Sequence, residues 1–367
     1  MDSLPTGLFK ILKGYSSLSP PKSLTIPSNL SLIDLHGFFL NLLLDPHLQQ
    51  YPPSEQYQKF FWKWAIHCLE ELFSGNETEE IDSRLYEYYL SLTLSHDQPI
   101  GSSGTPLQSY LTYYWIPSSD EVSLINPDQL TRVTLLESRT TIESGTTGLR
   151  TWKASFVLAD YLLNRPGLVQ GKSVLELGSG VGFLGTIVAA IQQSNMLPGT
   201  SLCLTDVNEQ VLSRCSSNVK LPCNLSSLHP HLQCRALDWS LSVKATPSDP
   251  CLHFLVTESS PDVILGADIV FDPSLVPALV GMLKLCLSTT KSDHTKMAFI
   301  ALTARNCSTL TLFIESVKGA NLWVEELQLY CQHTSFVDSF SVDSDEHVKI
   351  FQITTQRRGR SCSIIVP

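Results

Sequence analysis

The chain has 367 residues, 43% hydrophobic and 16% charged; that apolar share fills a sizeable core and excludes a wholly disordered chain. A formal charge of −10 argues against direct nucleic-acid binding by charge alone. Ten cysteines without a C-x-x-C pair fit reduced thiols in the cytoplasm, the N-terminus lacks a signal pattern, and no run of ~20 apolar residues is present to enter a membrane.

From the N-terminus, helical periodicity predicts a helix over 32–44, ended by Asp45-Pro46 because proline disfavours helix at the residue before it. Phe61, Trp64, Ala65, Cys68 and Leu72 recur at helical spacing after a Pro-Pro turn, with Ser54 as N-cap. A third helix is expected over 81–92. The aromatic run 60–64 is either a docking face or, as is commoner, core. Residues 95–104 read as a linker, so the chain divides into a helical region, 1–105, and a second unit, 106–367. The helical region carries no visible chemistry and is expected to help hold a large folded protein substrate. Asn76-Glu77-Thr78 matches a glycosylation sequon, read as coincidence without a secretory signal.

Two short strands follow, 110–116 and 132–137. Beyond Trp152 the pattern alternates. Strands are expected over 173–177, 201–205, 233–237, 262–267, 298–303, 322–325 and 348–354, with helices such as 208–219 and 274–287 between them. Alternation of this kind makes an α/β fold, a largely parallel sheet with helices on both faces, whose ligands bind at the carboxyl ends of the strands. Cys223, His229, His231 and Cys234 lack paired zinc-ligand spacing, and no metal is assigned. The basic run 357–360 reads as a frayed end.

The stretch VLELGSGVGFLG, 174–185, admits two cofactors. Gly180-x-Gly182-x-x-Gly185, with Asp206 ~20 residues further on at the end of the next strand, fits a dinucleotide fingerprint. Glu176 favours the other choice. Expected beside the ligand, its carboxylate opposes a pyrophosphate, by about 4 kcal/mol for unit charges ~4 Å apart at an effective dielectric near 20, and attracts the sulfonium and ammonium of S-adenosylmethionine. Gly178, Ser179 and Gly180 then form the turn under the ligand. Asp206 holds the ribose hydroxyls, unless it serves only as a helix N-cap. Asp238 is placed to accept from an adenine amino group and Trp239 to face the ring, unless that indole is only a core aromatic. Ala267 permits close approach, Asp268 is expected to point into the cleft, and Trp152, after the turn 145–151, closes over the cofactor.

GTTGLRTW (145–152), VLELGSGVGFLG, LDW (237–239), GADIVFDP (266–273) and TARN (303–306) together resemble the seven-strand lysine methyltransferases of the family-16 type, and within them the FAM86 family, which acts on elongation factor 2. The resemblance is strongest over 140–306. It implies a Rossmann-like seven-strand class I methyltransferase sheet plus an N-terminal helical region, S-adenosylmethionine as cofactor, and an elongation factor 2 lysine as acceptor. It also implies that Trp152, Gly178, Ser179, Gly180, Trp239 and Ala267 contact the cofactor and that Asp206 holds the ribose. The family's D-x-x-Y motif falls on Asp268 to Phe271, with phenylalanine for tyrosine. Phe271 is therefore given a packing role and no proton transfer, and Asp268 the task of orienting the amine.

The protein is expected to act as a cytoplasmic monomer. Two rival readings are an NAD-dependent oxidoreductase and a non-catalytic binding protein on a methyltransferase scaffold. The cofactor question has a direct test: S-adenosylhomocysteine is expected to raise the melting temperature and NAD to leave it unchanged. A shift with NAD alone would reverse the assignment.

Overall fold

The computed structural model describes residues 4–28, 30–74, 80–94, 108–116, 124–244, 254–255, 260–288, 296–329, 335–337 and 347–355. The sequon at Asn76, the 95–104 linker and the basic run 357–360 lie outside them.

The chain opens with β1 (Leu4–Pro5), α1 (Thr6–Ser16), α2 (Leu32–Leu44), α3 (Pro46–Gln50), α4 (Glu55–Phe73) and α5 (Ser83–Leu94). Asp45 ends α2 and caps α3 at once, its Oδ1 accepting from His47 N at 2.8 Å and Leu48 N at 3.0 Å. Of the aromatic run 60–64, Phe61 and Trp62 are buried in the core while Phe60 is 60% exposed. The run is therefore mostly packing.

Next comes an antiparallel hairpin of β2 (Gln108–Trp115) and β4 (Thr131–Ser138), with β3 (Leu124–Ile125) between them in sequence and paired with β1. Two buried asparagines bond to β4 as a third strand would. Asn224 accepts from Thr134 N at 2.8 Å and donates to Thr134 O at 2.8 Å and Asn218 O at 2.9 Å. Asn218 accepts from Leu136 N at 2.9 Å and donates to Val181 O at 3.0 Å. These amides satisfy strand groups that burial would otherwise leave unpaired. From the helical side, His47 Nε2 meets Thr112 Oγ1 at 3.2 Å and Thr134 Oγ1 at 2.9 Å. Burial lowers this imidazole to about 4, so it is neutral at physiological pH.

The main unit runs α6 (Lys153–Leu163), β5 (Ser173–Leu177), α7 (Phe183–Gln193), β6 (Ser201–Asp206), α8 (Glu209–Val219), β7 (Leu232–Ala236), α9 (Leu241–Lys244), β8 (Val263–Ala267), α10 (Val276–Ser288), β9 (Met297–Thr303), α11 (Cys307–Gly319), β10 (Trp323–Leu327) and β11 (Val348–Thr354). Its seven strands lie in the order β10-β11-β9-β8-β5-β6-β7. The pairs from β9 to β7 are parallel, whereas β11 is antiparallel to both neighbours. The order reverses at β5, which places a crevice at the carboxyl ends of β5, β6 and β8.

Strand alternation divides the apolar residues between two cores. Leu175, Leu177, Ile264 and Ile300 pack with Leu279 and Phe313 on one face. Val174, Leu202 and Val263 join Leu111, Leu135, Phe39 and Phe61 on the other, so one continuous core runs from the sheet through the hairpin into the N-terminal helices. Among the described residues no helix is long and apolar enough to cross a membrane. Asn224→Ala is expected to cost about 2–3 kcal/mol of unfolding free energy, because it strands the buried Thr134 amide. Urea unfolding measures this, and a loss below ~0.5 kcal/mol would mean that the asparagine is dispensable.

Candidate active site

A cavity of about 670 Å³ opens at the carboxyl ends of β5, β6 and β8, within the size range of small-molecule sites. Its floor is the turn after β5. Gly178 and Gly180 have φ of +65° and +55°, in the left-handed region that L side chains avoid. A Cβ on Gly180 would stand 3.1 Å from Gly148 O, and one on Gly178 2.8 Å from Ile269 Cγ2, so the turn needs glycine for space as well.

Three backbone amides of this turn are already committed. Ser179 N donates to Thr205 O at 2.8 Å and Gly182 N to Ser179 O at 2.9 Å. Gly180 N donates to Asp206 Oδ2 at 3.3 Å. A phosphate cradle needs such N–H groups free. Here the floor presents a carboxylate instead, and that favours a ligand with cations and hydroxyl donors. Asp206 is half-buried, and burial raises its pKa against the opposing pull of the amides of Asn208, Gly180 and Val207. It is not the helix cap: Asn208 caps α8, accepting from Gln210 N and Val211 N.

All the expected site residues line the cavity except Glu176. Strand alternation turns Glu176 beneath the loop, where it is 3% exposed and its Oε2 has no hydrogen-bond partner. Burial pushes its pKa up to about 8. Ser179 and the Gly185 amide pull the other way without giving Oε2 a bond of ordinary geometry. The side chain is therefore neutral at pH 7 and is not the charge that meets the ligand. The discrimination first assigned to it passes to the consumed amides, since Asp206 fits the ribose of either cofactor.

Two further expectations change. Asp268 has φ +53°, and its carboxylate turns to β9 rather than into the cleft. Oδ1 accepts from Thr303 N and Oδ2 from Thr303 Oγ1, both at 2.8 Å. Oδ2 also lies 3.8 Å from Arg305 Nη2, and the side chain is only 8% exposed. Phe271 does not pack inside; it stands 65% exposed at the rim. On the other wall, Asp238 bonds the amide and hydroxyl of Ser240, each at 2.8 Å, and Trp239 lies along the cavity beside it. Trp152 precedes α6, its Nε1 donating to Thr147 O at 3.0 Å.

Arg150 and Arg305 also line the cavity, and neither was singled out from the sequence. Their guanidinium carbons lie 4.6 Å and 5.0 Å from the Trp152 ring centroid, within cation–π range. The available signal was their place in GTTGLRTW and TARN. Among the described residues no group of three or more His, Cys, Asp or Glu is arranged to hold a metal.

The model of the lysine methyltransferase family matches residues 133–319. The chain is 28% identical over 280 residues to the human protein-lysine N-methyltransferase EEF2KMT, covering 76% of this chain and 74% of that protein. It is 32% identical over 265 residues to the protein-lysine N-methyltransferase EFM3 of Chaetomium thermophilum, covering 71% and 72%. It is 25% identical over 260 residues to EFM3 of Saccharomyces cerevisiae, covering 68% and 66%.

The raised pKa of Glu176 gives stability a pH dependence of definite sign. The folded state keeps the proton up to about 8 while the unfolded chain releases it near ~4.3, so stability falls as pH rises across that window. Glu176→Gln removes this loss. Its stability relative to the parent is expected to grow from pH 5 to pH 8 and then level off, as chemical denaturation at several pH values would show. A difference independent of pH would place the carboxyl in a polar environment instead.

Proposed function

The chain belongs to the lysine methyltransferase family and transfers methyl groups from S-adenosylmethionine to protein lysines; on that premise we propose that the acceptor is a lysine of elongation factor 2 and that the enzyme acts as a cytoplasmic monomer. The resemblance to the FAM86 family supports the acceptor. The net charge of −10 favours a protein over nucleic acid as partner.

The cavity is assigned to S-adenosylmethionine, and the bond from Gly180 N–H to Asp206 is the observation that carries the assignment. It consumes an amide donor that the pyrophosphate of a dinucleotide would need. Asp206 is assigned to the ribose hydroxyls, Asp238 and Trp239 to the adenine, and Trp152, Gly178, Ser179, Gly180 and Ala267 to close contact with the cofactor. When bound, the cofactor supplies an electrophilic methyl group on a positively charged sulfur.

The rest is alignment and proton handling. A lysine side chain near pKa 10.4 must lose its proton before it can attack. Val207, Val243 and Phe271, exposed residues of the cavity lining, offer an apolar approach for its stem, and desolvation there favours the neutral amine. Arg305 adds a positive charge that disfavours an ammonium. Asp268 gives both carboxylate oxygens to Thr303; its assigned task is to hold the end of β9 and Arg305 so that the amine enters in line. The helical region 1–105 is assigned to holding the folded acceptor, with Phe60 the exposed member of its aromatic run.

Purified protein, methyl-labelled cofactor and purified elongation factor 2 test this reading. Label is expected on one lysine, located by mass spectrometry; no label on the factor would refute the acceptor. Asp268→Ala is expected to lower turnover ~100-fold, the scale of a small misalignment, while S-adenosylhomocysteine affinity stays within about threefold. Near-normal turnover would remove Asp268 from the site's machinery.

A further inference from the structure

We propose that Glu137, a residue of the hairpin outside the cavity lining, is a positioning residue for the cofactor and acts through Thr151 on the wall formed by Arg150 and Trp152. The inference rests on the assignment of the cavity to S-adenosylmethionine.

Glu137 is 2% exposed. Its Oε2 accepts from Thr151 N at 2.7 Å. Its Oε1 accepts from Thr151 Oγ1 at 2.8 Å and from Tyr113 OH at 3.2 Å. One threonine thus gives both its donors to a single carboxylate, which fixes its backbone as well as its side chain. Thr151 is flanked by Arg150 and Trp152, and both neighbours line the cavity.

Between the end of β4 at Ser138 and the start of α6 at Lys153 the only paired backbone is the Glu143–Thr146 bridge. Beyond that, Ser138 N reaches Leu149 O at 2.8 Å and Trp152 Nε1 reaches Thr147 O at 3.0 Å, while Gln108 Nε2 of β2 donates to Glu143 Oε1 at 2.7 Å. The second of these lies within the segment itself. Ser138 and Glu137 both tie 149–152 to the hairpin, and Glu137 grips the residue between the two wall side chains. Tyr113 carries the same carboxylate into the core: its ring centroid lies 5.2 Å from those of Phe156 and Phe183, and Phe183 also lines the cavity.

A carboxylate at this depth is costly unless it is bonded. Burial raises its pKa, while Thr151, Tyr113 and Arg150 lower it. An apolar residue would fill the space without that cost and without fixing Thr151. What the acid adds is geometry at the cavity wall, and a site held within a fraction of an ångström binds its ligand more tightly.

Calorimetric titration of S-adenosylhomocysteine into the full-length protein separates affinity from the fraction of folded sites. Glu137→Ala is expected to weaken binding about tenfold and Glu137→Gln, which keeps one acceptor oxygen, about threefold. Stoichiometry should stay near one. KM for the methyl donor should rise with kcat at saturation little changed. Thr151→Val, which removes only the hydroxyl bond, should weaken binding about threefold and tests the idea even where Glu137→Ala does not fold. Unchanged affinity in folded Glu137→Gln and Thr151→Val overturns the proposal. So does a fall in stoichiometry at constant affinity, the mark of a purely structural role. Failure of the parent protein to bind S-adenosylhomocysteine would instead overturn the cofactor assignment, and this inference with it.

Discussion

The hydrogen bond between Gly180 N–H and the Asp206 carboxylate, 3.3 Å across the ends of β5 and β6, sets the character of the site. It forms because Gly180 adopts a positive φ and because no side chain keeps it from Gly148. Its chemical consequence is an exchange of sign. A helix N-terminus beside a glycine turn ordinarily offers N–H groups to an anion. Here three of the turn's amides are used internally, and a half-buried carboxylate faces the cavity instead. One fold can thus carry either cofactor, and the choice is made by where the amide protons go.

The second constraint comes from outside the sheet. Among the described residues the hairpin β2–β4 has no neighbouring strand on the α8 side, and Asn218 and Asn224 supply that strand's bonds. His47 then joins the hairpin to the N-terminal helices through Thr112 and Thr134, and the apolar cluster is continuous from Phe39 and Phe61 to Val174. Packed and bonded residues therefore connect the helical region with the hairpin that carries Glu137, although no described residue of that region lines the cavity.

Periodicity and punctuation made most of the fold legible. The helix over 32–44 and the strands 173–177 and 348–354 coincide with Leu32–Leu44, Ser173–Leu177 and Val348–Thr354, because each combines a clear period with a breaker. The third parallel strand is Leu232–Ala236 and not 233–237, although Leu237 N still bonds Asp206 O at 3.0 Å. The short helices Thr6–Ser16 and Pro46–Gln50 were missed: the first has a proline for its N-cap and no side-chain cap bond, and the second is a single capped turn. In the site, glycines and strand ends fixed positions well. Side-chain direction was less readable. Glu176 follows strict alternation to the face opposite the one expected, and Asp268 is turned to β9 by a left-handed backbone that nothing in GADIVFDP announces.

That difference in direction sorts the acids of the site by function. Glu137 and Asp268 are buried and hydrogen-bonded, so their negative charge is spent on Thr151 and Thr303 and on the arginines beside them. Glu176 is buried and keeps its proton at neutral pH. Only Asp206 and Asp238 remain to present charge to the cavity, and Arg150 and Arg305 stand together at Trp152. The acceptor lysine loses its proton before it attacks, and desolvation of its stem at the apolar mouth together with the neighbouring guanidinium favours the neutral amine over the ammonium.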